Sequence, residues 1–514
     1  MHIRLTPLAL ALAAVSTMVP IATSDVDWAM VARIREEGLQ RSRVMDFEGY
    51  IDDVLGARLT NSRDMQRAQA WVRAEMTRIG LVNVAAEPYM DYGVSWDNEF
   101  VSLHMIEPDY SPMVAYPIAH TPGTNGRQVV EAAIVDVVSR DDLAKYRGAI
   151  KGKAVLVTPP ATIDLAPLTN GVPRLTQLDL DRLEHTVIAP TRPVPARSIP
   201  NPSVLTAEEK MAFYKSEGVA VVLQSESGWL GAVRGYSRPG SRNDQWSREG
   251  DLASPVIVAV TPEHYNRMYR ILKRNVAVKV DVEVRNRIGE QVEKASNLVG
   301  EILGTALADE VVMLGAHLDT WHASPNASDN TSGVAVALEA MRILKAVGAK
   351  PRRTIRIALW SGEEQGLFGS RAYVRDHFGN PKDPAIGTKP AYATFVAYFN
   401  QDYGAGQYRG IFLQGNEHAR AQLTAWMEPF RDLGMTVVSN QSVGSTDHEA
   451  FDEVGLPGFQ FLQDNIPGTG GHTNLDFYDT IQAPDLMKNA VIMASYVYHA
   501  AMADAKIPRK TPQK

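Results

Sequence analysis

The chain of 514 residues contains no cysteine. Disulfides, thiolate metal ligands and thiol nucleophiles are all excluded, so stability outside a reducing compartment has to come from packing and bound metal. There is no long basic run, and the formal net charge is −7, which argues against a nucleic-acid partner. After residue 25 no apolar stretch is long enough to span a bilayer, and no internal repeat is present. What remains is the composition of an ordinary soluble enzyme. The chain is too long for one typical domain, and its 45% hydrophobic content can bury a sizeable core.

The first residues, MHIRLTPLALALAAVSTMVPIATS, combine a short basic start, an apolar middle and small residues near Ala22 and Ser24. That order is the pattern of a secretory signal cut near Ser24, with Pro7 and Pro20 weakening the alternative of a core helix. The expected location is therefore periplasmic or extracellular.

Chemistry concentrates in the second half. VVMLGAHLDT (311–320) is a buried-type strand ending on His317 and Asp319, and SDNTSGVAVALEAMRIL (328–344) places Asp329 just before a helix opened by Thr331 and Ser332. TIRIALWSGEEQGLFGS (354–370) is a second apolar strand running into the paired Glu363 and Glu364 and then a helical stretch; TFVAYFNQD (394–402) is a third strand that ends near Asp402. Such alternation predicts an α/β fold with a mixed, mainly parallel sheet flanked by helices, in which ligands bind beyond the carboxyl ends of the strands. His472 comes from a Gly-rich loop, PGTGGHTNLDFYD (467–479), able to fold back over those ends.

Carboxylate and imidazole donors without thiolate suit Zn²⁺, and two metals about 3.5–4 Å apart usually share a bridging carboxylate. Asp329 is the expected bridge. His317 and Asp402 would complete one site, and Glu364 and His472 the other. Adjacent side chains diverge, so Glu363 is left to take a proton from the attacking water and hand it to the leaving amine. Asp319, two residues beyond His317 and on the same side of an extended segment, is expected to fix the imidazole tautomer.

The blocks AHLDTW, SDNTSG, LWSGEEQGLFGS, NQD, STDHEAF and GHTNLDFYDTI resemble those of the co-catalytic zinc exopeptidase family that contains bacterial leucyl aminopeptidases, glutamate carboxypeptidases and carboxypeptidase Q. The resemblance covers roughly residues 295–505. It implies two Zn²⁺ per chain, with His317, Asp329 and Asp402 on one, Asp329, Glu364 and His472 on the other, and Glu363 as general base. One departure is Asn330, where many members carry a second Asp; its amide can replace those hydrogen bonds. Trp321 looks most like the carboxypeptidase Q branch, and His322 has no ligand role.

Taken singly, each of these residues has an ordinary explanation as a structural histidine, a surface acid, a turn residue or a cap. Together they would have to supply the right types, chain order and strand-end positions by accident. His448 in STDHEAF is different: Ser445 or Thr446 can cap a helix there, so a structural or pocket-wall role is expected.

Between about 121 and 282 the texture changes to short β runs with a Pro-rich passage, HTVIAPTRPVPARSIPNP (185–202). GKAVLVTPP followed by MAFYKSEGVAVVLQS resembles a protease-associated domain. The expected organisation is a signal (1–24), the first part of the peptidase domain (25–120), an inserted β-rich protease-associated-like domain (121–282), the catalytic zinc peptidase domain (283–505) and a basic tail (506–514). The reading is an exported two-zinc exopeptidase acting on short peptides, an aminopeptidase first because WSGEEQGLFGS looks more like the aminopeptidase blocks. A carboxypeptidase or dipeptidase comes second, and a one-zinc glutaminyl cyclase or a non-catalytic binding protein follow at a distance. Nothing in the sequence excludes a homo-oligomer.

Overall fold

A computed structural model describes residues 26–164, 174–186, 203–464 and 471–510. The expected signal, most of the Pro-rich passage and the end of the tail lie outside them. Among the described residues no helix is long and apolar enough to cross a membrane.

The catalytic half is built on the strands anticipated above. Leu307–His317, Arg353–Trp360 and Phe395–Asn400 lie side by side and parallel, and Gly458–Gln463 extends them in the same direction. Tyr408–Phe412 then joins antiparallel, and Val437–Ser439 closes that edge. This is a mixed, mostly parallel sheet. Its inner strands read as nearly unbroken apolar runs because both faces are covered. On one face lie the helices Ser332–Ala346 and Ala483–Met502, buried along almost their whole lengths and sharing one core with the sheet. A helix apolar all round can only be stable when surrounded in this way. On the other face Trp360, Tyr373, Phe378, Phe395, Tyr398 and Phe451 form an aromatic cluster under the helix Phe368–His377.

N-terminal to these strands lies the helix Arg63–Ile79, which buries Met65, Ala68, Val72 and Met76 along one face. Ser62 accepts from the Met65 amide at its start, and Gly80 at φ 92° ends it.

Two long antiparallel strands, Val82–Glu107 and Lys279–Ile302, tie the halves together. The second pairs through 298–302 with the catalytic sheet and through 279–282 with Gln128–Ile134. From there Ala154–Leu156, Val221–Gln224 and Ile257–Val260 continue in parallel, so the hydrogen-bonded sheet runs through from one half to the other. The segment 121–282 holds helices as well as its β runs, Ala207–Ser216 and Pro262–Leu272 among them. Residues 282 and 283 fall inside one unbroken strand.

Leu338 sits fully buried in Ser332–Ala346. Leu338→Ala is expected to cost about 2–5 kcal/mol, while Leu303→Ala at an exposed turn stays within about 0.5 kcal/mol. Denaturant midpoints of the metal-loaded protein check both.

Candidate metal centre

All five expected ligands and Glu363 meet beyond the carboxyl ends of the three central parallel strands. His317 is the last residue of its strand, and Asp402 follows the next-but-one strand by two residues. His317 Nε2 lies 3.1 Å from Asp402 Oδ1 and 3.3 Å from Asp329 Oδ1. His472 Nε2 lies 2.8 Å from Glu364 Oε2 and 3.2 Å from Asp329 Oδ2. The two oxygens of Asp329 therefore face two different imidazoles, which is the geometry of a shared carboxylate between two sites. Glu363 Oε2 stands 3.9 Å from His317 Nε2, on the opposite course from Glu364.

Around this centre the chain spends much of its polar chemistry on holding position. His317 Nδ1 lies 2.8 Å from the backbone carbonyl of Asp319, whereas the Asp319 carboxylate is 3.9 Å away. The tautomer expected from the Asp319 side chain is thus set by its main chain. The carboxylate instead accepts from the backbone amides of Glu363 and Glu364, both at 3.3 Å, and lies 3.0 Å from Thr60 Oγ1. Asp319 pins the turn that presents both glutamates.

The loop bearing Asp329 is fixed by Asp476, which accepts from the Ser328 amide and hydroxyl, both at 2.9 Å, and from the Asp329 amide at 3.2 Å. Asn330 accepts from the Gly333 amide at 3.1 Å and donates to the Gln401 carbonyl at 2.8 Å. It caps the helix expected to be opened by Thr331 and Ser332, neither of which makes a side-chain cap. Arg58, fully buried, donates to the carbonyls of Leu318, Gly56 and Pro325 and to Thr331 Oγ1.

His472 has two supports. Gly471 admits the loop, since a Cβ there would stand 2.3 Å from Asp329 Oδ2. The other comes from the segment 231–235: Gly235 donates to the His472 carbonyl at 2.7 Å, and Asn474 donates to Val233 O at 3.0 Å. Trp321 sits edge-on to the His472 ring at 6.2 Å.

Thr60, Arg58 and Asp476 were not singled out in the sequence. Asp476 had a signal, being an acid four residues after His472 in a block already noted. Thr60 and Arg58 are brought in from the far N-terminal segment and had none. His448 is buried, with Nε2 2.7 Å from Gln414 Nε2 and 3.1 Å from Val443 O. His322 bonds to the Pro117 carbonyl at 2.6 Å.

The charges in this cluster do not balance. Burial pushes the Glu364 carboxyl up to about 7, with the Asp329 charge adding to it, and burial raises Glu363 well above the carboxylate range despite His317. Burial opposes protonation of His472, yet Glu364 and Asp329 carry it to about 11. Burial would likewise raise Asp329, but hydrogen bonds from His317 and His472 hold it low. Glu364 Oε1 is buried with no hydrogen-bond partner. Acids and imidazoles converge here at hydrogen-bonding distance, and a hard or borderline divalent ion is the group this donor set fits. Two ligand groups, His317 with Glu363 and Asp402, and His317 with Asp329 and Glu364, have donor atoms close enough to hold one. The centre opens on a cavity of about 940 Å³, walled by Trp229 and Arg242 from one side and by Arg371, Tyr403 and Glu449 from the other.

The chain is similar to several known proteins. Residues 297–497 match the model of peptidase family M28. Carboxypeptidase Q of Mus musculus is 24% identical over 475 residues, covering 92% of this chain and 88% of that protein. A probable leucine aminopeptidase of Arthroderma otae is 26% identical over 211 residues, covering 38% of this chain and 56% of its own. Among solved structures, a peptidase M28 precursor from Shewanella amazonensis superposes with a TM-score of 0.65 at 20% identity, covering 94% of this chain and 99% of that one. A zinc aminopeptidase from Bacillus subtilis gives a TM-score of 0.57 at 16% identity, covering 91% and 97%. Fold and site together define a zinc-dependent metallo-exopeptidase. Residues 297–497, less than half of the chain, carry the match to peptidase family M28.

Because the Asp319 carboxylate holds the Glu363–Glu364 turn, Asp319→Ala should leave His317 oriented and weaken zinc binding by about 10–100-fold. Competition titration against a chelator measures this. Unchanged affinity would show that the turn needs no such brace.

Proposed function

We propose that the protein is an exported two-zinc exopeptidase that removes terminal residues from short peptides, acting first as an aminopeptidase. The observation that carries the two-metal reading is the disposition of Asp329, whose oxygens face His317 on one side and His472 on the other. His317, Asp402 and Asp329 would hold one ion, and Glu364, His472 and Asp329 the other. Bound there, zinc would supply Lewis acidity toward the scissile carbonyl and make an attacking water easier to deprotonate.

The protein's own part is proton transfer and placement. Glu363 is buried beside His317 and takes no part in the close carboxylate–imidazole contacts that occupy Glu364. It is therefore the group to accept the water's proton and return it to the leaving amine. The Asp319 bonds to the two adjacent amides keep Glu363 and Glu364 diverging, so one base and one ligand are presented from a single turn.

Exopeptidase action fits a cavity of this size that Trp229 and Arg242 help to wall, since a long or folded substrate would meet them. Glu449 supports recognition of a free amine. It lines the cavity, accepts from the Ser445 amide at 2.8 Å and has no Lys or Arg within ion-pair distance among the described residues. Carboxypeptidase or dipeptidase action is the second reading, favoured by Arg242 on the same cavity. The N-terminal sequence supports export, with a mature start near residue 25.

Glu363→Gln is expected to keep two zinc ions per chain and lose at least about 10²-fold in kcat. Glu364→Gln should lose metal. Metal content by mass spectrometry with turnover on each variant checks the pair, and a fully active wild type holding one equivalent would end the two-metal reading. Amino-blocked and carboxyl-blocked dipeptides, assayed with and without chelator, then separate the two specificities: an aminopeptidase spares the first, a carboxypeptidase the second, and both activities vanish with chelator.

A further inference from the structure

A second cavity, of about 190 Å³, lies beside the metal centre and has no part in the chemistry described so far. Trp229 and Gly471 line both cavities, so the two adjoin. Its place follows from the topology of the segment 121–282. Ala154–Leu156, Val221–Gln224 and Ile257–Val260 are parallel neighbours, and the cavity lies where the last two end. Ser225 and Glu226 come directly after one strand, while Ala259 and Val260 close the other. Ligands of parallel sheets collect beyond such ends. Two sets of strand ends thus border on neighbouring spaces, one set bringing metal ligands and the other this cavity.

The interior is apolar. Val233, Ala259 and Val260 are buried there, and Trp229 and Tyr236 add aromatic walls. The Tyr236 hydroxyl accepts from the Gln224 side-chain amide, and burial, with Glu226 beside it, raises it above the ordinary phenol range, so it stays neutral. Glu226 and Arg234, both exposed, put one charge of each sign at the rim, and neither sign of guest is favoured. One wall is tied through the backbone to a metal ligand. Gly235 donates to the His472 carbonyl at 2.7 Å, and Val233 exchanges bonds with Asn474, its amide donating to Oδ1 at 2.5 Å and its carbonyl accepting from the Asn474 amide at 3.0 Å.

The residue held closest to the metals is the one that owns the scissile carbonyl, since that oxygen is the group a zinc ion would polarise. We infer that this cavity is the side-chain pocket for that acyl-side residue, and that it selects large uncharged side chains, phenylalanine and leucine over alanine, glutamate and lysine. This rests on the exopeptidase reading above and extends it by naming the side chain of the preferred substrate. In aminopeptidase action the residue so selected is the one removed. Burial of an apolar side chain supplies the driving force, and a charged one would have to shed its water. The residue on the other side of the bond leaves with the amine and has no place in the pocket.

The test measures kcat/KM on zinc-loaded protein for two dipeptide series, X-Ala and Ala-X, with X phenylalanine, leucine, alanine, glutamate or lysine. In the X-Ala series wild type should favour phenylalanine and leucine over alanine by at least about 10-fold, the scale of burying one large apolar side chain, with glutamate and lysine lowest. The Ala-X series should be flatter. Ala259→Leu and Ala232→Leu narrow the cavity from two walls, and each should bring the phenylalanine-to-alanine ratio toward unity. Poor folding alone lowers both rates together and leaves that ratio unchanged. Calorimetric affinities for the uncleaved amino alcohols phenylalaninol and alaninol read the same preference without turnover. An X-Ala series cleaved throughout at similar rates, a preference confined to Ala-X, or a ratio that survives both substitutions would overturn the pocket and leave the exopeptidase standing. Cleavage of no dipeptide in either series would overturn both.

Discussion

Like charge gathered in a buried place is the constraint on which this structure turns. Asp329, Glu363, Glu364 and Asp402 converge on a few ångströms of space, with His317 and His472 the cationic partners in ion-pair reach among the described residues. A cluster of that kind costs several kcal/mol per uncompensated ion, and no amount of apolar packing nearby removes the repulsion. It persists only if the backbone carrying each acid is held from behind. That explains why fixed hydrogen bonds are concentrated one layer out, where Asp319 grips two amides of the glutamate turn, Asp476 grips the loop of Asp329, and Arg58 ties three carbonyls and Thr331 together. Affinity for metal and stability of the fold are then two expressions of one balance, because cations remove the repulsion that the scaffold otherwise has to resist.

The supports come from parts of the chain that carry no chemistry themselves. Arg58 and Thr60 precede the family segment by more than two hundred residues, and the His472 loop is hydrogen-bonded to residues 233–235. The outer segments are therefore more than covers, since they set the positions of groups that react.

The centre was legible in the sequence for a local reason: its side chains lie at or just beyond the end of an apolar strand, just before a helix in the case of Asp329, or in a Gly-rich loop, and each feature reads off a short window. The parallel strands and their flanking helices were legible for the same reason. What escaped depends on contacts between distant residues. Asp319 was anticipated in the right place but for the wrong bond, because spacing alone cannot say whether a main-chain oxygen or a carboxylate reaches a ring. Asn330 was read as a tolerated substitution, and its work as a helix cap appears only once the loop is folded. The helices within 121–282 are short and flanked by β runs, so periodicity did not announce them. Nor did it announce strands as long as Val82–Glu107 and Lys279–Ile302, whose patterns are broken by register shifts.

Those two strands carry a mechanical implication. They are laddered from Val82 opposite Glu301 to Glu107 opposite Lys279, and the same sheet runs on into both halves. Two bodies joined by a loose tether can open like a clam around a large guest. Here the joint is itself a ladder of sheet, paired from one end to the other with register shifts along the way. A hinge between the halves would have to break that ladder, so adjustment at the cavity falls to side-chain rotamers and loop tips at its mouth.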